Sequence, residues 1–215
     1  MVSQGEVYPH PNKIKAIEDW PLPKTQTEIR SFLGLCSYYR QFIHKFAEYA
    51  APLSDLTKGP TMGPWNDRSQ WGYEMLKQAL TSHPVLRLPD PTRPFTVDTD
   101  ASDVRIGGVL HQKDPISGGD YAVCYYSRVL SPAERNYPTH EKEYLAIRTC
   151  FEKWRPYLLG QHTVVYTDHL PLRHLQTQKG PLSKRLARWN DYMAQFSHEV
   201  QYRKGKDNAV ADALS

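Results

Sequence analysis

The chain has few cysteines and no long apolar run, and each shortage excludes a class of protein. Its 215 residues include three cysteines, Cys36, Cys124 and Cys150, at wide spacing. An odd number so spaced forms neither a disulfide framework nor a zinc pattern, and therefore indicates buried thiols in a reducing compartment. The chain also lacks a signal peptide and the roughly 18 consecutive apolar residues that a membrane helix needs. We therefore expect an intracellular protein that is neither secreted nor inserted in a membrane.

The excess of one charge sign over the other is also small, so the net charge does not identify a binding partner. Lys and Arg number 27 and Asp and Glu 23, for a net charge of +4. This excess favours a polyanionic partner only slightly, because many solvated globular domains share it. Apolar residues are plentiful enough for a core, since they make up 40% of the chain, with five Trp and fourteen Tyr. The length then fits one large domain or two modest ones.

The first part of the chain, residues 1–60, shows helical patterns. Thr25 and Glu28 have the spacing of a capping box, a pair of side chains that accept hydrogen bonds at a helix start. Apolar residues then recur at the helical intervals of three and four, at Ile29, Phe32, Leu33, Cys36, Tyr39 and Ile43. A following helix is expected to be interrupted near Pro52. Residues 61–92 place prolines and glycines around one helical segment and predict a Pro-rich linker.

From residue 93 the pattern changes from helical to alternating. Apolar and polar side chains alternate from Phe95 to Asp100, which predicts a strand that ends on a carboxylate. Two more strands, a long helix over 134–159, and further strands and helices follow. Three antiparallel strands and then an alternation of strands and helices predict an α/β domain over 93–215, with a mixed sheet flanked by helices.

Four acidic residues are predicted to meet at one edge of this sheet. Asp100 and Asp168 each end a strand, and they lie side by side if those strands are parallel neighbours. Glu143 extends the inward face of the long helix, and Asp212 lies on a C-terminal helix. Taken singly, each acid has an ordinary alternative as a turn, a cap or a solvated surface residue. Together they require cations, and two Mg²⁺ or Mn²⁺ ions about 4 Å apart activate water for phosphodiester cleavage.

Four short motifs around these acids resemble a known family. They are Thr99-Asp-Ala-Ser102, His140-Glu-Lys-Glu-Tyr-Leu-Ala146, Tyr166-Thr-Asp-His169 and Gly205-Lys-Asp-Asn-Ala-Val-Ala-Asp-Ala-Leu-Ser215. In this order they resemble the RNase H domain of gypsy-type LTR-retrotransposon reverse transcriptases. Trp20-Pro-Leu-Pro-Lys24 and Phe32-Leu-Gly-Leu-Cys-Ser-Tyr-Tyr-Arg40 likewise resemble the thumb segment that precedes that domain.

The resemblance implies a fold, an activity and a metal site. The implied fold is an RNase H-like mixed five-stranded sheet flanked by helices, preceded by a small helical thumb-like unit. The implied activity is hydrolysis of the RNA strand of RNA–DNA hybrids, in the cytoplasm, within a virus-like particle, or in the nucleus. Two Mg²⁺ ions, or Mn²⁺, would be held by four residues, Asp100, Glu143, Asp168 and Asp212.

Two of the motifs contain a second acid. Glu143 is preferred to Glu141 because the family's Glu precedes a Leu-Ala pair. Asp100 is preferred to Asp98 because the family's Asp precedes the turn of small residues.

Further residues are expected to contact water or substrate. His169 directly follows Asp168 and would orient water or substrate, or else begins a helix. Arg105 stands where the family usually has a small or apolar residue, and would either reach the substrate backbone or mark a decayed copy of the element. The loop 202–207 lacks the histidine that many RNases H carry there, and its lysines would contact phosphate or stay solvated. The candidates for nucleic-acid binding are Arg105, Arg30, Arg40, Lys204 and Lys206.

Two other functions remain open. The chain contains no Tyr-x-Asp-Asp polymerase motif and no fingers, so the expected partners are the fingers and palm of the same polyprotein, or a second copy of the chain. A non-catalytic remnant of a retroelement would bind nucleic acid or a protein without cleaving a hybrid. An integrase-type transferase fits less well, because its Glu comes last of three acids, whereas Glu143 comes second.

Overall fold

The computed structural model describes residues 2–3, 6–7, 11–81, 86–169, 172 and 183–203. The chain divides into two compact units, Met1–Leu88 and Pro89–Ser215. The division falls inside the segment 61–92, which the sequence predicts to be a linker. Over the described ranges, no helix is long and apolar enough to cross a membrane.

The first unit combines helices with a small antiparallel sheet. Its helices are α1 (Pro11–Glu18), α2 (Gln26–Tyr38), α3 (Phe46–Asp55) and α4 (Asp67–Thr81), and its strands are β1 (Val2–Ser3), β2 (Glu6–Val7) and β3 (Leu86–Arg87). Thr25 caps α2 as predicted, because its hydroxyl accepts a hydrogen bond from the backbone N–H of Glu28 at 3.2 Å. The predicted apolar stripe of α2 is buried at Ile29, Phe32 and Cys36.

Two features of the first unit differ from the sequence expectation. α3 runs unbroken through Pro52, although a proline removes one helix hydrogen bond. The Pro52 ring is buried and lies against α4. Its Cγ is 3.6 Å from the position that a Cβ on Gly72 of α4 would occupy. α4 belongs to this unit rather than to a linker, since it packs on α1 and α3. Lys77 of α4 also donates a hydrogen bond to the Glu18 carbonyl at 2.7 Å.

The second unit is built on a mixed five-stranded sheet, as the sequence predicts. Its strands are β4 (Phe95–Ala101), β5 (Arg105–Lys113), β6 (Asp120–Val129), β7 (Thr163–Thr167) and β8 (His198–Tyr202). Across the sheet the order is β6-β5-β4-β7-β8. The first three strands in the chain pair antiparallel, whereas β7 lies parallel to both β4 and β8. The predicted α/β fold class is therefore confirmed.

The helices of the second unit are shorter than expected. They are α5 (Pro132–Arg135), α6 (Thr139–Lys153), α7 (Arg155–Leu158) and α8 (Lys184–Met193). The single helix predicted over 134–159 is wrong, because two prolines divide it. Pro138 precedes α6 in an extended conformation, and Pro156 lies in the first turn of α7. Proline has no N–H to continue a helix and is tolerated in a first turn.

The close approach of α6 to the sheet depends on Gly108 in β5. A Cβ at this position would lie 2.5 Å from Cys150 Sγ on α6 and 3.0 Å from the Asp98 carbonyl oxygen. Such distances are shorter than carbon atoms tolerate, so a glycine is needed for α6 to lie against β4 and β5. The same approach brings Glu143, about two turns earlier on α6, to the end of β4.

Replacing Gly108 by Ala is expected to destabilise the second unit by about 1–3 kcal/mol, because the added methyl group pushes α6 away from the sheet. Urea unfolding followed by far-UV circular dichroism measures the loss. Gly119→Ala is the control in the same unit, since its added Cβ meets only the Ser117 hydroxyl at 3.5 Å. Its free energy of unfolding should change by less than about 0.5 kcal/mol. Equal stabilities for the two variants would contradict this explanation of the packing.

Candidate metal centre

Asp100 and Asp168 lie side by side because their strands are parallel neighbours. β4 and β7 pair in a register that sets Asp98 opposite Tyr166. The second residue after each of these is an acid, Asp100 on β4 and Asp168 just beyond β7. Both carboxylates therefore lie at the C-terminal edge of the parallel strands, where ligands of α/β sheets commonly bind.

Glu143 reaches the same edge from α6. The residue is buried, with 4% of its surface exposed, and it accepts a hydrogen bond from the backbone N–H of Ala101. One carboxylate oxygen from each of Asp100, Glu143 and Asp168 lies within 4.8 Å of the other two. We call these three residues the carboxylate cluster. Asp168 is exposed, so the cluster is open to solvent on one side.

Burial and like charges make Glu143 a weak acid. Removal from water, and then the charges of Asp100 and Asp168, raise the pKa of Glu143 from 4.5 to about 9, while the Ala101 hydrogen bond opposes the rise. At neutral pH its carboxyl group therefore holds a proton. A cation bound by the cluster would displace that proton, because it stabilises the charged form.

The cluster fits a divalent cation. Among the described residues, the buried Glu143 Oε2 has no hydrogen-bond partner, which is costly for a carboxylate oxygen. A cation would supply that partner and would neutralise the charge of the ionised carboxylates. Carboxylate oxygens are hard ligands that suit Mg²⁺ or Mn²⁺. Asp212, the fourth predicted acid, lies outside the described residues, as do Lys204 and Lys206.

The alternative acids of the two motifs are engaged elsewhere. Glu141 is buried and accepts hydrogen bonds from the Arg185 guanidinium and, at 3.2 Å, from the Ser183 hydroxyl. Asp98 is also buried and accepts a hydrogen bond from Arg203 at 2.9 Å. The structure thus brings the preferred acid of each pair into the carboxylate cluster and binds the other within the fold.

His169 lies beside the cluster. Its backbone N–H donates a hydrogen bond to the Thr167 hydroxyl at 3.2 Å. Burial lowers the pKa of His169, the neighbouring His140 lowers it further, and Asp168 opposes both effects. Its imidazole is therefore neutral near pH 7. His140 is not among the predicted site residues, although its position three residues before Glu143 on the same helix was an available signal.

Polar contacts hold the turn that follows β4. The Ser102 hydroxyl accepts a hydrogen bond from the backbone N–H of Arg105 at 3.0 Å. Lys142 of α6 donates a hydrogen bond to Asp103 Oδ1 at 2.8 Å and so ties the turn to the helix. Lys142 is also absent from the predicted site residues. Among the described residues, the buried Nε of Arg105 has no hydrogen-bond partner.

The two described arginines predicted to bind nucleic acid in the first unit make contacts within that unit. Arg30 donates hydrogen bonds to the Gln26 side chain at 3.0 Å and to the Thr57 carbonyl at 3.1 Å. The Arg40 guanidinium lies 5.3 Å from the centre of the Phe46 ring. Both side chains therefore stabilise the helical unit, whatever else they bind.

Comparison with known proteins identifies relatives of the chain. Residues 90–196 match the family model of an RNase H-like domain found in reverse transcriptase. The whole chain aligns, at 39% identity, with a retrovirus-related Pol polyprotein from transposon 297 of Drosophila melanogaster, and at 38% with the Tf2-3 transposon polyprotein of Schizosaccharomyces pombe. It spans 20% and 16% of the lengths of these two relatives.

Solved structures share the fold. A foamy viral protease-reverse transcriptase in complex with RNA/DNA hybrid matches with a TM-score of 0.77 at 24% identity, over 95% of this chain and 29% of that one. The same type of protein in complex with double-stranded DNA matches with a TM-score of 0.74 at 22% identity, over 95% of this chain and 38% of that one.

Replacing Glu143 by Gln is expected to stabilise the metal-free protein at about pH 8. The folded-state pKa of Glu143, about 9, exceeds its ordinary value of 4.5, so the folded state binds the proton more tightly than the unfolded state. The resulting stability is fully present below the ordinary value and is lost as the pH rises through the folded value. Glutamine removes this loss without adding a charge.

Thermal unfolding in EDTA, followed by circular dichroism between about pH 5 and pH 9, tests this expectation. The wild type should lose stability across the range, and Glu143→Gln should lose less and unfold several degrees higher at the alkaline end. The control is Glu152→Gln, which makes the same substitution at an exposed glutamate of the same helix. Identical pH profiles for the wild type and Glu143→Gln would show that the cluster does not raise this pKa.

Proposed function

The chain belongs to the Pol polyproteins of retrotransposons and carries, over residues 90–196, the RNase H-like domain found in reverse transcriptase; from this premise we propose that it hydrolyses the RNA strand of RNA–DNA hybrids with two bound Mg²⁺ ions. The observation that carries the proposal is the carboxylate cluster, whose three oxygens lie within 4.8 Å of one another at an open sheet edge.

The proposed substrate follows from the fold and its neighbour. A foamy viral enzyme of the same fold has been solved with an RNA/DNA hybrid. A hybrid duplex presents phosphates along its backbone and 2′-hydroxyl groups on one strand. Recognition would therefore rest on the shape of the duplex and on the 2′-hydroxyl groups rather than on base sequence.

The residues of the site have separable roles in this reaction. Bound divalent ions would lower the pKa of water and neutralise charge on the phosphate. Asp100, Glu143 and Asp168 would hold the ions, with Asp212 as the proposed fourth ligand. His169, neutral near pH 7, would hold or pass a proton at a ring nitrogen beside Asp168. Hydrolysis adds water across the bond between phosphorus and O3′, and leaves 5′-phosphate and 3′-hydroxyl ends.

The fingers and palm of a reverse transcriptase are the proposed protein partners. The chain spans 20% of the length of the Drosophila Pol relative and 16% of that of the Schizosaccharomyces relative. The polymerase active site of such a protein would supply the hybrid, because DNA synthesis on an RNA template makes this duplex. The RNase H reaction would then remove the copied RNA strand.

Asp168→Asn is expected to slow cleavage of a labelled RNA–DNA hybrid by about 100-fold or more, because the amide cannot replace a charged ligand oxygen. The rate of RNA-strand loss in Mg²⁺ or Mn²⁺ measures the effect, and EDTA should abolish cleavage by the wild type. Asp191→Asn, at an exposed aspartate of α8, is the control and should cleave normally. Cleavage by Asp168→Asn at the wild-type rate would disprove the metal assignment. A folded wild type that binds the hybrid without cleaving it would favour the binding remnant.

Arg105→Met is expected to raise KM for the hybrid with little change in kcat, because the arginine is proposed to bind a backbone phosphate. Loss of one phosphate contact should also reduce the slope of log KM against log salt by about 0.7–0.9. Arg93→Met is the control, since Arg93 lies before the opposite end of β4 and pairs with Asp90 at 2.8 Å. An unchanged salt slope in Arg105→Met would exclude the phosphate contact.

A further inference from the structure

Arg203, the residue after β8, contacts both of the strands that lead into the carboxylate cluster. On the β4 side, its Nη1 donates a hydrogen bond to Asp98 Oδ1 at 2.9 Å. On the β7 side, its guanidinium carbon lies 3.5 Å from the centre of the Tyr166 ring. Its backbone N–H also donates a hydrogen bond to the Thr167 carbonyl at 2.9 Å. A single residue therefore links β8, β7 and β4.

These contacts lie directly behind the cluster. Asp98 and Tyr166 are register partners on the parallel strands β4 and β7. Asp100 and Asp168 are the second residues after them, and alternate residues of a strand share a face, about 6–7 Å apart. The contacts of Arg203 therefore act on the spacing of β4 and β7 at a point two residues before Asp100 and Asp168.

Asp98 makes the link strong because its carboxylate is buried. Its side chain is 3% exposed, while that of Arg203 is 29% exposed. The second oxygen, Asp98 Oδ2, lies 2.5 Å from His111 Nε2 on β5. Removing the charged partner of a buried carboxylate strongly destabilises a fold, so the folded state favours Arg203 in this position. Both oxygens of Asp98 are thus held, one from β5 and one from the end of β8.

We propose that Arg203 is a positioning residue that sets the separation of Asp100 and Asp168 for binding a divalent cation. The proposal rests on the proposed metal-dependent function of the cluster. Mg²⁺ and Mn²⁺ are bound by carboxylates, and Mg²⁺ accepts only a narrow range of ligand distances and angles. A small change in the spacing of two strands therefore weakens binding, although Arg203 touches neither the cation nor the substrate.

The test measures binding of Mn²⁺ to the full chain without substrate, by calorimetry or by the loss of the free-ion signal in electron paramagnetic resonance. Arg203→Met should weaken binding at the cluster about tenfold, the lower end of the effect expected when groups that orient metal ligands are removed. Arg203→Lys keeps the charge opposite Asp98 and should recover part of the loss. With hybrid present, Arg203→Met should need more Mn²⁺ for half-maximal cleavage, while kcat at saturating Mn²⁺ stays near the wild-type value.

Arg155→Met is the matched control. Arg155 also makes one side-chain hydrogen bond, to Gln195 at 2.8 Å, and its guanidinium lies 5.7 Å from the centre of the Phe196 ring. Its loss removes an arginine hydrogen bond and a ring contact from the same unit, away from the cluster. Arg155→Met should therefore bind Mn²⁺ as the wild type does. The proposal would be overturned if Arg203→Met bound Mn²⁺ with wild-type affinity while Asp100→Asn, which removes a ligand of the cluster, lost that binding.

A double variant covers the case in which Arg203→Met does not fold. Asp98→Asn with Arg203→Met removes both charges, so no uncompensated carboxylate remains buried. If Arg203 acts through Asp98, the double variant should bind Mn²⁺ about as weakly as Asp98→Asn alone, because the link is already broken in that single variant. A double variant that binds Mn²⁺ clearly more weakly than Asp98→Asn would refute the link.

Failure of the proposed function would look different. A wild type that binds Mn²⁺ through Asp100 but cleaves no hybrid would disprove the nuclease, and a weaker Mn²⁺ affinity of Arg203→Met would still support the positioning role. A wild type that binds no Mn²⁺ would disprove both.

Discussion

Repulsion among the ionised forms of three carboxyl groups, one oxygen of each lying within 4.8 Å of the other two, is the constraint that the second unit has to withstand. Its effect falls on Glu143, the most buried of the three, whose pKa rises to about 9. A group so perturbed weakens the metal-free fold at alkaline pH, and the same perturbation favours a bound cation. The cluster therefore lowers the stability of the metal-free fold at alkaline pH, and such a local cost is typical of functional sites.

The surrounding structure sets the positions of these charges largely through the packing of whole elements. Parallel register of β4 and β7 brings Asp100 and Asp168 together. The absence of a side chain at Gly108 lets α6 lie close enough to add Glu143. Arg203 then links the strands behind the acids. Each contact acts on the spacing of whole elements, so the geometry of the site depends on the packing of the sheet.

Much of the fold could be predicted from local patterns, because alternation and capping are local effects. The strand ending at Asp100 and the cap at Thr25 are examples. The apolar periodicity over 134–159 does not show where Pro138 and Pro156 divide the helix. The unbroken course of α3 through Pro52 depends on burial against another helix, which is a tertiary effect. The partnership of Asp98 with a residue 105 positions away carries no sequence signal. Such contacts are determined only when the sheet is assembled.

The central claim is that Asp100, Glu143 and Asp168 together hold a divalent cation, and it is tested most directly by diffraction. Crystals of the full chain soaked in Mn²⁺ would be measured near the manganese absorption edge, where the ion scatters anomalously. We expect an anomalous peak bounded by oxygens of all three carboxylates, and its absence in crystals of Asp100→Asn. Manganese bound elsewhere on the protein, with no peak at these three residues, would contradict the claim.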